Sequence, residues 1–151
     1  MKDVIKEASD SGWVSEHRAQ YLQDGEAGHI FDTARVGGPG PVPTLLLYTR
    51  GRRSGRESIM PLAYGEVDGG YVLIASKAGY PRHPGWFHNL LAQQKVKIKL
   101  KNEFFEATAR VAEGEDRERL WAHMVGMYPP YEDYQKWAGD RLIPVIVCER
   151  L

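Results

Sequence analysis

The stretch Thr44-Leu45-Leu46-Leu47-Tyr48-Thr49-Arg50-Gly51-Arg52-Arg53-Ser54-Gly55-Arg56 runs from apolar residues straight into a turn with two glycines, four arginines and a serine. A tight turn asks for glycine, whose missing Cβ permits positive φ, but it does not ask for four guanidinium groups. Permanently charged, planar guanidinium groups beside main-chain N–H groups and a hydroxyl suit a phosphate or a carboxylate. The turn is therefore a candidate anion site. The same residues also fit a hairpin tip with solvated arginines, since charge at hairpin tips is common. The segment by itself leaves both readings open.

A second cluster reads Ala75-Ser76-Lys77-Ala78-Gly79-Tyr80-Pro81-Arg82-His83-Pro84-Gly85-Trp86-Phe87-His88-Asn89. A strand end carries a Ser-Lys pair, and a loop then feeds a helix start at Pro84. The unpaired N–H groups of a helix N-terminus make a second candidate anion position. Ser76 at the strand end is placed to donate to a ring carbonyl or nitrogen; as an ordinary turn hydroxyl it would bond its own backbone. Trp86 and Asn89, at i and i+3, share a helix face. The plainer roles are core filling for Trp86 and fastening of the preceding loop for Asn89.

A third cluster is Tyr128-Pro129-Pro130-Tyr131-Glu132-Asp133-Tyr134. Tyrosines at steps of three can share one side of a helix. They would either wall an aromatic pocket and present phenol donors or dock the helix on a sheet.

Metal and nucleophile chemistries find no support. The histidines His17, His29, His83, His88 and His123 form no His-x-x-x-His or His-Glu-x-x-His pattern, so no metal site is expected. There is no Gly-x-Ser-x-Gly elbow and no Walker or dinucleotide glycine pattern. An enzyme of this kind would rely on a bound organic cofactor.

The chain has 151 residues, enough for one domain over 1–151 with a sizeable core. Lys+Arg and Asp+Glu are both 20, and this balance argues against a general nucleic-acid binder. The single cysteine, Cys148, excludes an intrachain disulfide and permits a reducing compartment. No apolar run reaches the roughly 18 residues of a membrane span. The polar start lacks the apolar core of a secretory signal, so a cytoplasmic location is expected.

The elements that must position these clusters follow from the patterning. Residues 1–12 read as a flexible polar arm. Ser15 looks like the N-cap of a helix through Gln23, with Gly25 as its stop. Residues 24–43, rich in glycine and proline, read as a long loop. Strands are predicted over Thr44–Thr49, buried on both faces, and Glu57–Tyr64, its partner across the arginine turn. Asp68-Gly69-Gly70 marks a second hairpin, leading into Tyr71–Ala75. Lys95–Lys101 alternates strictly, one face buried and one solvated, and pairs with Glu103–Val111; Ile143–Cys148 is a last buried strand. Helices are predicted from Pro84 to about Ala92, over 115–127 with Leu120, Met124 and Met127 inward, and over Pro129–Trp137. Hairpin-linked strands with a few helices indicate an α+β fold around a small antiparallel barrel.

In this order, the segments resemble the deazaflavin (F420)-dependent nitroreductase family, which includes quinone reductases. The resemblance rests on Thr44-Leu45-Leu46-Leu47, Gly51-Arg52-Arg53-Ser54-Gly55, Pro61-Leu62, Ala75-Ser76-Lys77, Pro84, Trp86, Asn89-Leu90, Tyr128-Pro129-Pro130-Tyr131 with Asp133-Tyr134, and Ile143-Pro144-Val145. It implies a split β-barrel that transfers a hydride from reduced coenzyme F420 to a quinone, unsaturated ketone or nitroaromatic. It implies that Arg52, Arg53 and Ser54 hold the phosphate and acidic tail. Ser58, Ile59, Met60, Pro61, Leu62 and Ala63 would lie along the cofactor. So would Ile74, Ala75, Ser76 and Lys77, and Gly85, Trp86, Phe87, His88 and Asn89. Ser76, Tyr128, Tyr131 and Tyr134 would serve the reaction, with Tyr131 bordering the ring. Relatives often carry a basic residue in place of Ser58, and Arg56 is the candidate to supply that charge. They often carry Asn in place of Met60. Ala63 replaces a pocket tyrosine of the family's nitroreductase, which bears on nitro compounds more than on the cofactor. An FMN-binding split barrel and a non-catalytic F420 carrier are the alternatives, and the protein would act as a monomer or homodimer.

Overall fold

The run Leu45-Leu46-Leu47 is wholly buried at every position, which a strand achieves only when both of its faces are covered. The computed structural model, which describes residues 12–151, shows what covers them. Its elements are α1 (Gly12–Gln23), α2 (Gly25–Gly28), β1 (Ile30–Asp32), β2 (Pro41–Arg50), β3 (Glu57–Ala63), β4 (Gly65–Val67) and β5 (Gly70–Ile74), followed by α3 (Gly85–Ala92), β6 (Lys95–Leu100), β7 (Glu103–Val111), α4 (Gly114–Met127), α5 (Pro130–Trp137) and β8 (Val145–Arg150).

Every strand pair is antiparallel. The order is β1-β2-β6-β7-β8-β5-β4, with β3 hydrogen-bonded to β2. Among the described residues β3 pairs only with β2 and β4 only with β5, so the sheet curls into a half-barrel split between them. This is the α+β antiparallel barrel that the patterning predicts, split as the family resemblance implies. The β4–β5 turn places Asp68 and Gly69 at positive φ (52° and 79°), the left-handed pair that a two-residue hairpin needs.

Inside the barrel, Leu45 and Leu47 meet Leu73, Ile98, Ala107 and Ile146, and Trp86, Phe87 and Leu90 of α3 pack against them. Outside, Val72, Ile74, Val145 and Val147 meet Leu120, Met124 and Tyr131 of α4 and α5. Tyr21 of α1 covers Leu46 and Tyr48.

Several expectations need correction. The first helix begins at Gly12, so Ser15 is no N-cap; its hydroxyl accepts from Arg18 Nη2 at 3.3 Å within the helix. The arm expected over residues 1–12 otherwise lies outside the described residues. Gly25 does not stop that helix but opens α2, which Asp24 caps by accepting from Glu26 N (3.0 Å) and Ala27 N (3.4 Å). A Cβ at Gly25 would run into the Lys101 carbonyl, so the glycine serves close approach to the β6–β7 turn. The loop expected over 24–43 is organised into α2, β1 and a 3-10 turn at Thr33–Val36. There the Thr33 main-chain N–H donates to Gly40 O at 2.9 Å, and the Gly40 N–H donates to Thr33 Oγ1 at 3.0 Å. The lysine face of β6 is not wholly solvated: Lys99 is buried, and its Nζ donates to Tyr21 O (3.1 Å) and Leu22 O (3.3 Å) at the end of α1.

Candidate functional site

The arginine turn is the β2–β3 connection. Gly51 N donates to Arg56 O at 2.7 Å, Gly55 N donates to Gly51 O at 2.9 Å, and Gly55 takes φ 71°. Arg50 folds back, its Nη1 donating to Gly55 O at 2.9 Å. Arg52, Arg53 and Arg56 remain exposed, as at a hairpin tip, yet the turn is anchored. Buried Asn89 of α3 accepts from the main-chain N–H of Arg52 (3.2 Å) and from its guanidinium (3.1 Å), and donates to Thr49 Oγ1 (3.2 Å). Asn89 thus fastens the arginine turn rather than the loop before its own helix.

A cleft of about 590 Å³ opens beside this turn, lined by Arg52, Arg53, Ser54, Arg56, Ser58, Ile59 and Asn89, with Arg18 and Leu22 from α1 and the acid Glu57. Glu57 faces Lys97 Nζ at 3.7 Å, so the cleft keeps an excess of positive charge. This donor set fits a ligand with a phosphate and carboxylates. Met60, Pro61, Leu62 and Ala63 continue along β3, all half-buried.

Ser76 lies just beyond β5 and caps the 3-10 turn Lys77–Gly79 with its backbone only. Its hydroxyl forms no hydrogen bond among the described residues, so it is not spent on its own turn as the plainer reading expected. Lys77, Ala78 and Gly79 all take positive φ (45°, 51° and 80°). Gly79 lies against α5: a Cβ there would sit 2.8 Å from Tyr134 O. Ile74 and Ala75 are buried, Lys77 and His88 half-buried, and Gly85 exposed. Trp86 and Phe87 belong to the barrel core, so their rings act as support.

The three tyrosines come together. Tyr128 and Tyr134 hydroxyls are 2.9 Å apart, and the Tyr131 ring lies 4.9 Å from that of Tyr128 and 6.1 Å from that of Tyr134. Burial pushes all three phenols above the ordinary tyrosine value. Ala63 packs against the same cluster. A Cβ at Gly38 would approach Tyr128 Oη to 3.0 Å, so the glycine-rich loop also reaches it.

The model of the F420H(2)-dependent quinone reductase family matches residues 18–150. The chain belongs to this family. An F420H(2)-dependent quinone reductase of Mycobacterium tuberculosis is 34% identical over 146 residues, covering 93% of this chain and 97% of its own. A solved F420-H2 dependent reductase, FDR-A, is 42% identical with a TM-score of 0.65, covering 71% of this chain and 94% of its own. A second solved chain, described as a domain-swapped dimer, is 38% identical with a TM-score of 0.67, covering 91% and 97%.

The quinone reductase family is one of oxidoreductases that take reduced coenzyme F420, the cofactor that the sequence resemblance implies. Within this family member, the arginine turn and Asn89 meet in one cleft, while the turn that follows Ser76 meets α5, the helix of Tyr131 and Tyr134, at Gly79. Two residues around these clusters escape sequence reasoning. Arg18 sits on a helix whose pattern shows no chemistry, and only the fold brings it to the cleft, where its Nη1 donates to Ile59 O at 3.1 Å. Arg141 lies 65 residues from Ser76 yet donates to Ser76 O at 2.6 Å. Neither has a neighbour in sequence that signals its partner. No group of three or more His, Cys, Asp or Glu able to hold a metal occurs among the described residues. No helix among them is long and apolar enough to cross a membrane.

Proposed function

We propose that this protein reduces a conjugated acceptor, of the quinone type or an unsaturated ketone or nitroaromatic, with reduced F420 as the electron source. The observation that carries the reading is the excess of guanidinium groups around the cleft beside Asn89, which fits an anionic cofactor tail. Arg52, Arg53 and Arg56 would hold phosphate and carboxylates, helped by Ser54 and Arg18. Once bound, F420 supplies a hydride.

The chain's own residues would supply position and charge stabilisation. In the Tyr128–Tyr134 pair one hydroxyl donates to the other, which leaves one phenol proton for an acceptor oxygen. The Tyr131 and Ser76 hydroxyls have no hydrogen-bond partner among the described residues, so each has a proton to offer. Donors fixed in place before reaction stabilise developing oxyanion charge without reorganisation. Burial keeps the phenols protonated, so they remain donors at neutral pH. Ala63 packs against the same cluster as the tyrosines, and its small side chain in place of a phenol would favour a broad, flat quinone. The domain-swapped relative supports a homodimer rather than a monomer.

The test is a fluorescence titration with F420, run in parallel with FMN, followed by a panel of quinones, enones and nitroaromatics. Saturable F420 binding that weakens in Arg52→Ala and Arg53→Ala, with quinone turnover, is expected. Binding of FMN alone would move the protein to another cofactor. F420 binding without turnover of any acceptor would make it a carrier.

A further inference from the structure

We infer that Arg141 is a positioning residue for the hydride-transfer step: its guanidinium gathers the Ser76 loop, and its main-chain carbonyl accepts from Gln135 Nε2 of the tyrosine-bearing helix α5 at 2.8 Å, so the loop is held to that helix. This rests on the proposed reading of Ser76 and the tyrosines as the acceptor pocket.

The clamp is visible atom by atom. Arg141 Nη2 donates to Ser76 O at 2.6 Å, Nη1 to Ala75 O at 2.9 Å and to His83 Nδ1 at 3.1 Å, and Nε to Tyr80 O at 3.0 Å. Its partners lie on both sides of Lys77-Ala78-Gly79, the stretch at positive φ. Left-handed backbone at non-glycine residues is costly and persists only where the surroundings over-determine it. Two features do so here. One is the guanidinium fork, and the other is the contact of Gly79 with the Tyr134 backbone.

The charge on Arg141 is unusual in its company. Among the described residues no carboxylate pairs with it, and its partners are carbonyl oxygens and one imidazole nitrogen. A fork of fixed N–H donors is suited to gathering several carbonyls at once, whereas lysine offers a single point charge. The residue therefore serves the loop's geometry rather than an ion pair. That geometry brings the Ser76 loop to the helix of Tyr134. A displacement of about 1 Å in a positioned catalytic group can cost roughly a hundredfold in rate.

The variants Arg141→Gln and Arg141→Lys test this. Readouts are F420 affinity, kcat with a soluble naphthoquinone, thermal melting, and amide hydrogen exchange at Gly79 and Tyr80. Those amides donate to Ser76 O and Lys77 O at 2.9 and 3.0 Å, inside the clamped loop. Arg141→Gln is expected to melt cooperatively and to lose less F420 affinity than kcat, because the arginine cleft that would hold the cofactor's acidic tail is untouched while the Ser76 loop along its ring is loosened. Its kcat should fall by about tenfold or more, and Gly79 and Tyr80 should exchange faster. Arg141→Lys should fall between.

Unchanged exchange at Gly79 and Tyr80 in both variants would overturn the inference. So would wild-type kcat, or a parallel loss of kcat and F420 affinity. Should Arg141→Gln not fold, Arg141→Lys alone decides by the same readouts. If the wild-type protein fails to bind F420, the proposed function falls. The exchange measurement then judges the clamp separately, and unchanged rates would still refute it.

Discussion

The carboxamide of Asn89 joins the barrel's end helix to the arginine turn: its oxygen accepts twice from Arg52, at 3.2 and 3.1 Å, and its nitrogen donates to Thr49 at 3.2 Å. A flexible hairpin tip thereby acquires a fixed base. Asn89→Leu fills similar volume but leaves the Thr49 hydroxyl and the Arg52 N–H without that partner. Unsatisfied polar groups of this kind cost about 1–3 kcal/mol each. The variant should lose both melting temperature and F420 affinity, with acceptor KM little changed. Unaltered F420 affinity in a destabilised but folded variant would show that the anchoring does not matter to the ligand.

Arg18 lines the cleft from α1 while its guanidinium donates to Ile59 O on β3. Arg18→Ala should weaken F420 binding several-fold and lessen its dependence on salt, since one cation fewer meets the anionic tail. Arg18→Lys should restore part of the affinity, because the charge returns without the fork. A titration series from low to high salt checks this, and identical salt slopes would remove Arg18 from the site.

Lys99 is buried and gives its ammonium to the carbonyls of Tyr21 and Leu22 at the end of α1. Those carbonyls lack helical partners, and a cation there also meets the negative end of the helix. Lys99→Met keeps the aliphatic packing but leaves both oxygens unpaired. The expected loss is about 1–3 kcal/mol in chemical denaturation, with weaker F420 binding through displacement of Arg18. Equal stability would mean that water replaces the ammonium without cost.

The barrel was legible because its strands announce themselves locally. Strict alternation in Lys95–Lys101 and the Asp68-Gly69 turn need no tertiary information to be read. Lys99 shows where that reasoning stops: alternation places Val96 and Ile98 in the core, but it cannot say that a helix lies over the polar face. Gly25 looked like a helix stop, yet its role is set by the Lys101 carbonyl, distant in sequence. In the site, the arginine turn was legible as a donor set. Its fastening by Asn89 and the clamp of Arg141 were not, because each depends on a partner tens of residues away.

Burial pushes Tyr128, Tyr131 and Tyr134 above the ordinary tyrosine value of 10.0. An acid with a raised pKa stays protonated to higher pH, so these phenols remain donors across the neutral and mildly alkaline range. The pH profile of kcat/KM should therefore be flat from about pH 7 to about pH 10. Replacing both Tyr128 and Tyr134 by Phe should lower kcat by about tenfold, the order expected for one lost hydrogen bond to developing charge, whereas either single change leaves one phenol proton free. A falling alkaline limb near pH 8 would point to a different titrating group.

His17 should make the fold sensitive to mild acid. Its ring is buried, lies 2.9 Å from Gly28 O through Nε2, and stacks on Phe31 at 4.8 Å. Burial lowers its pKa from 6.5, the hydrogen bond to Gly28 opposes this, and Arg35 adds to the lowering. In the unfolded chain the imidazole takes up its proton near pH 6.5, whereas the folded protein binds it only at lower pH. Between those two values the unfolded state holds more protons, so stability falls as pH drops through this window and is fully present above it. His29 and His83 are lowered mainly by burial as well, so both act with the same sign. Asp116, lowered from 3.8 by its arginine partners, adds its loss only at more acid pH, which keeps the histidine window separable. Melting temperatures from pH 8 to pH 4.5 should decline below about 6.5 for the wild type. His17→Gln should be less stable at pH 8 but show a shallower decline, because the group that must stay neutral is gone. An equal slope in the variant would assign the acid sensitivity to His29 and His83 alone.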